Sequence, residues 1–413
     1  MKRVVVLTSS FPYLPGEQFL EDEMPYWGNK VSSDLEVFLM PFHVSDYPRS
    51  VPDGIKIDLS MSKKTTVIEK AYFLMKSFFC KIFYQELCYL FRSKKLTFVT
   101  VFVALRSVAI VLYAKRALDL FFCKHGIIDV AYCYWNDVQA YASVLNKRSA
   151  KIKKIVSRAH GFDLYEERRR RRYMPLKRQF LKDLDIIYAI SQEGKKYMED
   201  VYGVPSDIIM ISRLGVPVTS GIAQSSPNGY LNIVSVSSCS SIKRIDKIIE
   251  ALSLFSSWHD NLKIRWSHIG EGPLLNDLKI LSKEVLSDKN IEYKFWGFLP
   301  NNQVKSFFLA EPVDLFINSS ESEGVPVSIM EAMACGVPAI APNIGGISEL
   351  IPSEFDTMLP GSFESTELAL LIERLLVKFK EEELRFAFKK QVIRKFEASE
   401  NYVNFVNSVL SII

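Results

Sequence analysis

Several signatures of metal-binding, disulfide-stapled and membrane-spanning proteins are missing from this chain. Its six cysteines, Cys80, Cys88, Cys123, Cys133, Cys239 and Cys335, are scattered and form no CxxC pair. They read as reduced core thiols of a cytosolic protein, and neither a disulfide framework nor a metal site is expected from them. The five histidines form no HExxH-like pair, so zinc is not expected. The first apolar run, Val4 to Leu7, is too short for the core of a signal peptide and fits a buried first strand. The stretch Phe98–Tyr113 is apolar, but Arg106 interrupts it and Lys115 and Arg116 close it. It falls short of the roughly 20 clean residues that cross a bilayer, so a buried or interfacial helix is expected. No basic surface is interleaved with aromatics, and no reader motif of nucleic acid is present. There is no long repeat and no low-complexity tail.

What is present fits two domains. At 413 residues the chain exceeds one ordinary domain, and 48% hydrophobic residues can build two cores. A net charge of +5 suits an anionic small ligand or an acidic membrane surface. Short apolar β-rich runs alternate with helical spacing: 4–9, 35–40, 130–135, 152–159 and 185–191, then 231–237, 262–270, 291–297, 314–320 and 338–342. Helical periodicity covers 245–255 and 274–285. Uninterrupted apolar strands alternating with helices predict parallel sheets covered on both faces. The pattern restarts after Gly215-Val216-Pro217 and the polar stretch 219–229. The expectation is an α/β protein of two doubly wound, Rossmann-like domains. The first spans 1–217 with a helical insertion at about 60–125, the second spans 218–392, and a final helix over 393–413 crosses back. Ligands of such sheets sit beyond strand C-termini, so the interdomain cleft is the expected site.

The most informative segment runs from Ser319 to Pro338 and follows the strand DLFIN. Pro326 stands near the first helical position, and Gly336 is placed to cap the helix end. Glu323 then lies on the loop before the helix and Glu331 in its early turns. The first-turn N–H groups around Val327, Ser328 and Ile329 form a ready site for a diphosphate. Carboxylates beside an anion site suit a polyhydroxylated ligand, because they accept paired hydrogen bonds from vicinal diols.

The run Glu323-Gly324-Val325-Pro326-Val327-Ser328-Ile329-Met330-Glu331, with its continuation to Leu350, resembles the E-x7-E block of glycosyltransferase family 4, whose members are retaining enzymes of GT-B fold. The resemblance implies that Glu323 contacts the donor hexose and Glu331 the nucleotide ribose. It implies a phosphate-binding role for Lys243. Many relatives carry an arginine five residues earlier, where this chain has Ser238; Arg244 stands next to Lys243 as a substitute cation, or the pair is a surface cap on its loop. The turn Gly270-Glu271-Gly272 and Phe298 resemble segments that line the donor pocket, though Gly270 and Gly272 also fit a plain tight turn and Phe298 a core residue. Gly345-Gly346 fits either the floor of the site or a turn.

In the first half, Gly16 opens the helix after strand one, and the resemblance brings it toward the donor diphosphate and the acceptor. Gly16 to Glu23 resembles enzymes of bacterial surface-polysaccharide pathways. Glu17 is either an acceptor-side residue or a solvated acid favoured by the helix dipole. His160, in Ala-His-Gly-Phe-Asp at a strand end, is either a satisfied structural histidine or, as the resemblance implies, a site residue near the transferred sugar. Asp163 is an acceptor-side candidate. The run Arg168–Arg172 is either a solvated helix face or a contact with anionic lipid headgroups or a lipid-diphosphate acceptor.

The function expected is hexose transfer from a UDP- or GDP-linked sugar to a glycan or lipid-linked oligosaccharide acceptor, for exopolysaccharide, capsule or lipopolysaccharide. His160, Glu323 and Lys243 would carry the chemistry. No DxD triplet stands at a strand end, so protein groups without a metal or other cofactor are expected to neutralise the diphosphate. The enzyme would be cytoplasmic, on or near the inner face of the membrane, with no nucleic-acid partner. The alternatives are a non-hydrolysing nucleotide-sugar epimerase and a non-catalytic nucleotide-sugar-binding subunit, the latter suggested by Ser238.

Overall fold

The computed structural model describes every residue except Pro15, Lys64, Arg170, Thr219 and Asp288. Two compact units emerge: Met1–Ser212 with Tyr402–Ile413, and Arg213–Asn401.

The first unit holds β1 (Lys2–Thr8), α1 (Phe19–Gly28), β2 (Leu35–Pro41), β3 (Lys56–Ile57), α2 (Val67–Phe78), α3 (Lys81–Arg92) and α4 (Phe98–His125). It continues with β4 (Ile128–Cys133), α5 (Val138–Lys147), β5 (Ile152–Ala159), α6 (Lys177–Phe180), β6 (Ile186–Ala189), α7 (Gln192–Tyr202) and β7 (Ile209–Ile211). Seven parallel strands take the order β3-β2-β1-β4-β5-β6-β7. Alternation along β1 shows why the runs are apolar throughout. Val5 and Leu7 join the core beneath α4 and α5, while Val4 and Val6 join Trp27 of α1 and Phe405, Val406 and Val409 of the returning C-terminus on the other face. Both faces are covered, as a parallel sheet requires.

The second unit holds β8 (Tyr230–Val236), α8 (Ile245–Ser256), β9 (Lys263–Ile269), α9 (Leu275–Leu286), β10 (Ile291–Gly297), α10 (Asn301–Ala310) and β11 (Leu315–Ile317). There follow α11 (Val327–Ala334), β12 (Ala339–Pro342), α12 (Ile347–Leu350), β13 (Met358–Leu359), α13 (Ser365–Leu375), α14 (Glu382–Lys395) and the start of α15 (Ala398–Leu410). Its six parallel strands take the order β10-β9-β8-β11-β12-β13. The unit begins at Arg213 because residues 214–216 are bound to the end of the same unit. Val216 bridges Glu397, and Asn401 donates its side-chain amide to the Leu214 carbonyl.

Three strands escaped the sequence pattern: β3, β7 and β13, each of two or three residues at or next to a sheet edge. So short a run carries no periodicity. The helix predicted over 98–113 extends to His125. With that length it is the one helix among the described residues long and apolar enough to cross a membrane, with a mean hydropathy of 1.8 over its best window. Yet Ala104, Val108, Val111, Leu118 and Phe121 pack it into the first unit's core. Nor does the arginine run form an α-helix among the described residues: a single 3-10 turn covers Glu166–Arg168. Arg168 and Arg169 lie over the Tyr165 and Phe162 rings at 4.0 and 3.5 Å, and Arg171 donates to Thr97 Oγ1 at 3.1 Å. Arg171 and Arg172 are nevertheless exposed.

Candidate active site

In each sheet the strand order reverses once, between β1 and β4 and between β8 and β11. The loops leaving those neighbouring strands diverge and leave a crevice at their C-terminal ends. Gly16 and Glu17 follow β1, Lys243 and Arg244 follow β8, and Glu323 to Glu331 follow β11, whereas His160 and Asp163 follow β5, Gly270 and Gly272 follow β9, and Phe298 follows β10.

In the second unit, β8 leads through Ser237–Ser240 to a short turn ending at Lys243, and β11 leads through Asn318–Ser320 to Glu323. Lys243 Nζ donates to Glu323 Oε1 at 2.6 Å, and Asn318 Nδ2 donates to the same oxygen at 3.3 Å. Ser319 Oγ donates to the Lys243 carbonyl, and Glu321 N donates to the Ile242 carbonyl, so the two loops are laced together. Pro326 is the N-cap of α11 and Glu331 lies buried on its second turn. Gly336 follows the last turn, donating to the Met333 carbonyl. Val325 and Val327 are buried, and Ile329 is buried with its N–H directed to the Pro326 carbonyl. That N–H is therefore not open to a ligand, contrary to the sequence expectation. The N–H groups of Val327 and Ser328 have no partner within the helix, by the geometry of a first turn.

Two glycines show how closely the loops approach. A Cβ on Gly345 (φ +53) would fall 2.0 Å from the Glu323 carbonyl oxygen, and Gly346 N donates to the Gly324 carbonyl. A Cβ on Gly270 (φ +146) would fall 1.9 Å from the Ser237 carbonyl oxygen. Gly270 and Gly272 thus press their turn against 237–239. Beneath it lies a buried polar relay: Ser235 Oγ is 2.9 Å from His268 Nδ1, and Cys239 Sγ is 3.5 Å from His268 Nε2. Burial pushes the His268 imidazole down to about 4. Phe298, past the end of β10, is half exposed.

Arg244, six residues after Ser238, is held by two acids. Its guanidinium donates to Asp246 at 3.0 Å and to Glu321 at 2.6 Å, and these two acids hold its pKa above the usual arginine range.

In the first unit, Glu17 is neither solvated nor in a helical first turn. Gly16 (φ +98) and Glu17 (φ +52) leave the helical region, so α1 starts only at Phe19. The Glu17 carboxylate is buried and accepts the N–H groups of Ser9, Ser10 and Phe11 at 2.7, 2.7 and 2.6 Å, and Trp135 Nε1 at 2.7 Å. It pins the loop after β1 to the loop after β4.

His160 ends β5. Its ring lies between Tyr134 and Trp135, with centroids 4.7 and 4.6 Å away. It is 6% exposed, and neither ring nitrogen has a hydrogen-bond partner among the described residues. Asp163 faces the backbone instead, accepting from His160 N and Asn136 N at 2.6 Å each. Sequence reasoning missed the rest of this cluster. Lys177 is buried, donates to the Asn136 carbonyl and side-chain oxygens at 2.7 Å, and is pushed down to about 8 by burial. Asp137 is pushed up to about 6 by burial and, secondarily, by the Asp163 charge. Trp135, Asn136 and Asp137 could have been noticed as the continuation of a strand; nothing in the sequence around Lys177 marks it. A groove of about 1420 Å3 opens beside Ser9, Asp137 and Gln139 and runs under α2 and α4 past Phe73 and Ile110, with Lys63, Lys70 and Arg106 along it.

Comparison with known proteins agrees with this geometry. Residues 222–394 match the family described as glycosyl transferases group 1. WcaL of Escherichia coli K12, named for colanic acid biosynthesis, is 26% identical over 289 residues, covering 66% of this chain and 70% of that protein. The lipopolysaccharide outer core galactosyltransferase WaaB aligns over 100% of both chains with a TM-score of 0.70 at 14% identity. HepE of Anabaena, solved with UDP, aligns over 100% of both chains with a TM-score of 0.65 at 15% identity. Residues 222–394 are thus similar to the glycosyl transferases of group 1, and the chain is a glycosyltransferase built on the GT-B fold.

Proposed function

We propose that this enzyme transfers a hexose, with retention at the anomeric carbon, from a UDP- or GDP-linked donor to a glycan or lipid-linked saccharide of a bacterial surface polysaccharide. The observation that carries the donor half is the 2.6 Å contact between Lys243 and Glu323 at the strand-order reversal. It sets a cation and a carboxylate side by side, as a sugar joined to a phosphate requires. The carboxylate takes sugar hydroxyls, and the ammonium takes the leaving diphosphate together with the Val327 and Ser328 N–H groups. Charge develops on that phosphate as the glycosidic bond breaks, so these donors act mainly on the transition state. Glu331, behind them on α11, takes the ribose diol. Gly345 and the Gly270–Gly272 turn shape the walls. No step calls for a metal.

In the first unit His160 presents ring nitrogens that the protein does not itself satisfy, beside a loop pinned by Glu17. We assign it to the transferred sugar or the leaving oxygen. The groove under α2 and α4 is the acceptor's seat, supported by its mixed apolar and cationic lining. A second reading, a nucleotide-sugar-binding subunit without turnover, is favoured by Ser238 together with the pairing of Arg244 to Asp246 and Glu321.

The deciding experiment is calorimetry in EDTA with UDP- and GDP-hexoses on the wild type and Glu331→Ala, followed by donor consumption with and without saccharide acceptors. Micromolar binding lost in the variant, with acceptor-dependent turnover, supports the transferase. Binding without turnover favours the subunit, acceptor-independent isomerisation an epimerase, and no binding to any donor sinks the site assignment.

A further inference from the structure

The first unit concentrates exposed apolar side chains on one element. Along α2 and its last turn, Val67, Ile68, Tyr72, Met75, Phe78 and Phe79 share one helical stripe and are all at least half exposed, Val67 at 82% and Phe79 at 78%. The opposite stripe, Phe73 and Ser77, is the buried one. The broad apolar side of this helix therefore faces outward, and Lys70 and Lys76 flank it. The surface continues onto the first turns of α4. There Phe98 is 88% and Phe102 51% exposed, one turn apart, and Phe102 lines the same groove as Val67.

The charge around this surface is mainly basic. From Lys63 to Arg106 the sequence carries nine basic and two acidic residues. Of the acids, Glu86 is buried against Tyr173 and Gln179, and Glu69 closes the capping box of α2 with Thr66. An apolar band of this kind on a protein surface calls for a partner. A second copy meeting it symmetrically would set the same basic groups face to face, whereas an anionic bilayer matches both the apolar stripe and the lysines that reach from its borders to the headgroups. Nor is α4 itself a membrane span, because its central residues are built into the sheet core.

We infer that the face formed by α2 and the start of α4 docks on an anionic phospholipid surface, with α2 lying in the interfacial plane. The arginine run carries no comparable apolar stripe: Arg168 and Arg169 lie over Tyr165 and Phe162.

The test is flotation of the full chain with phosphatidylglycerol–phosphatidylcholine vesicles and with phosphatidylcholine alone. The wild type is expected to float with the anionic vesicles and about tenfold less with the neutral ones. The triple variant Ile68→Ser, Phe79→Ser, Phe98→Ser is expected to bind anionic vesicles about tenfold more weakly, with an unchanged circular dichroism spectrum. Lys70→Glu with Lys76→Glu, which leaves the apolar stripe intact, is expected to weaken binding to anionic vesicles only. A wild type that stays in solution with both vesicles overturns the inference. So does a triple variant that binds as well as the wild type, or a concentration-dependent dimer, abolished by the triple variant, in a protein that ignores vesicles.

Discussion

Lys243 and Glu323, eighty positions apart in the chain, meet at 2.6 Å because β8 and β11 are neighbours in the sheet. Their loops leave adjacent strand ends, and each side chain holds the other. Replacing either one alone leaves its partner without its counter-charge. Glu323→Gln and Lys243→Met should each lower kcat/KM by about a hundredfold or more. The double variant should fall well short of the product of the two losses, because they act as a unit. Steady-state transfer assays on the three variants give the coupling; strictly multiplicative losses would show that the two groups work separately.

His160 makes no side-chain hydrogen bond among the described residues, so its removal should cost little stability. His160→Gln should retain the wild-type melting temperature to within a few degrees while kcat drops about a hundredfold or more. A variant that unfolds early but turns over normally would make it a packing residue between Tyr134 and Trp135.

Glu17 behaves in the opposite way. It accepts three consecutive backbone N–H groups and an indole N–H, and Glu17→Ala would leave those buried donors unpaired. A loss of about 3 kcal/mol is expected, with the amides of Ser9, Ser10 and Phe11 exchanging much faster. Hydrogen exchange that stays slow at those three amides would contradict the role.

The buried His268 links folding to pH. Its folded pKa, about 4, lies below the ordinary value of 6.5, so the unfolded chain binds a proton that the folded chain refuses. Its neutral packing is fully favourable above pH 6.5 and is lost as pH falls toward 4, by about 3 kcal/mol over that window. Denaturant midpoints measured between pH 7 and 4 should show this slope, and His268→Gln should flatten it. An unchanged slope in the variant would place the acid sensitivity elsewhere.

Most of the fold could be read from the chain because buried parallel strands are apolar at every position. The runs read at 4–9, 152–159, 231–237 and 291–297 all became strands. The short strands β3, β7 and β13 could not, since two or three residues need no pattern. The arginine run was legible in part: Arg171 and Arg172 are exposed, but the rings of Tyr165 and Phe162 and the Thr97 hydroxyl are brought beside the run only by folding. Glu17 looked like a first-turn acid, and only the positive φ of Gly16 and Glu17 turns its carboxylate back onto the preceding loop.

By itself the sequence determined two doubly wound α/β units and placed Lys243, Glu323, Glu331 and His160 just beyond strands or on the helix that follows, because periodicity and strand–loop–helix order are local properties. The tertiary structure alone decided which loops are neighbours. Strand order is set by packing between distant segments, and from it came the Lys243–Glu323 contact, the Glu17–Trp135 bond, the buried Lys177, the pairing of Arg244 with Glu321 and the outward apolar face of α2.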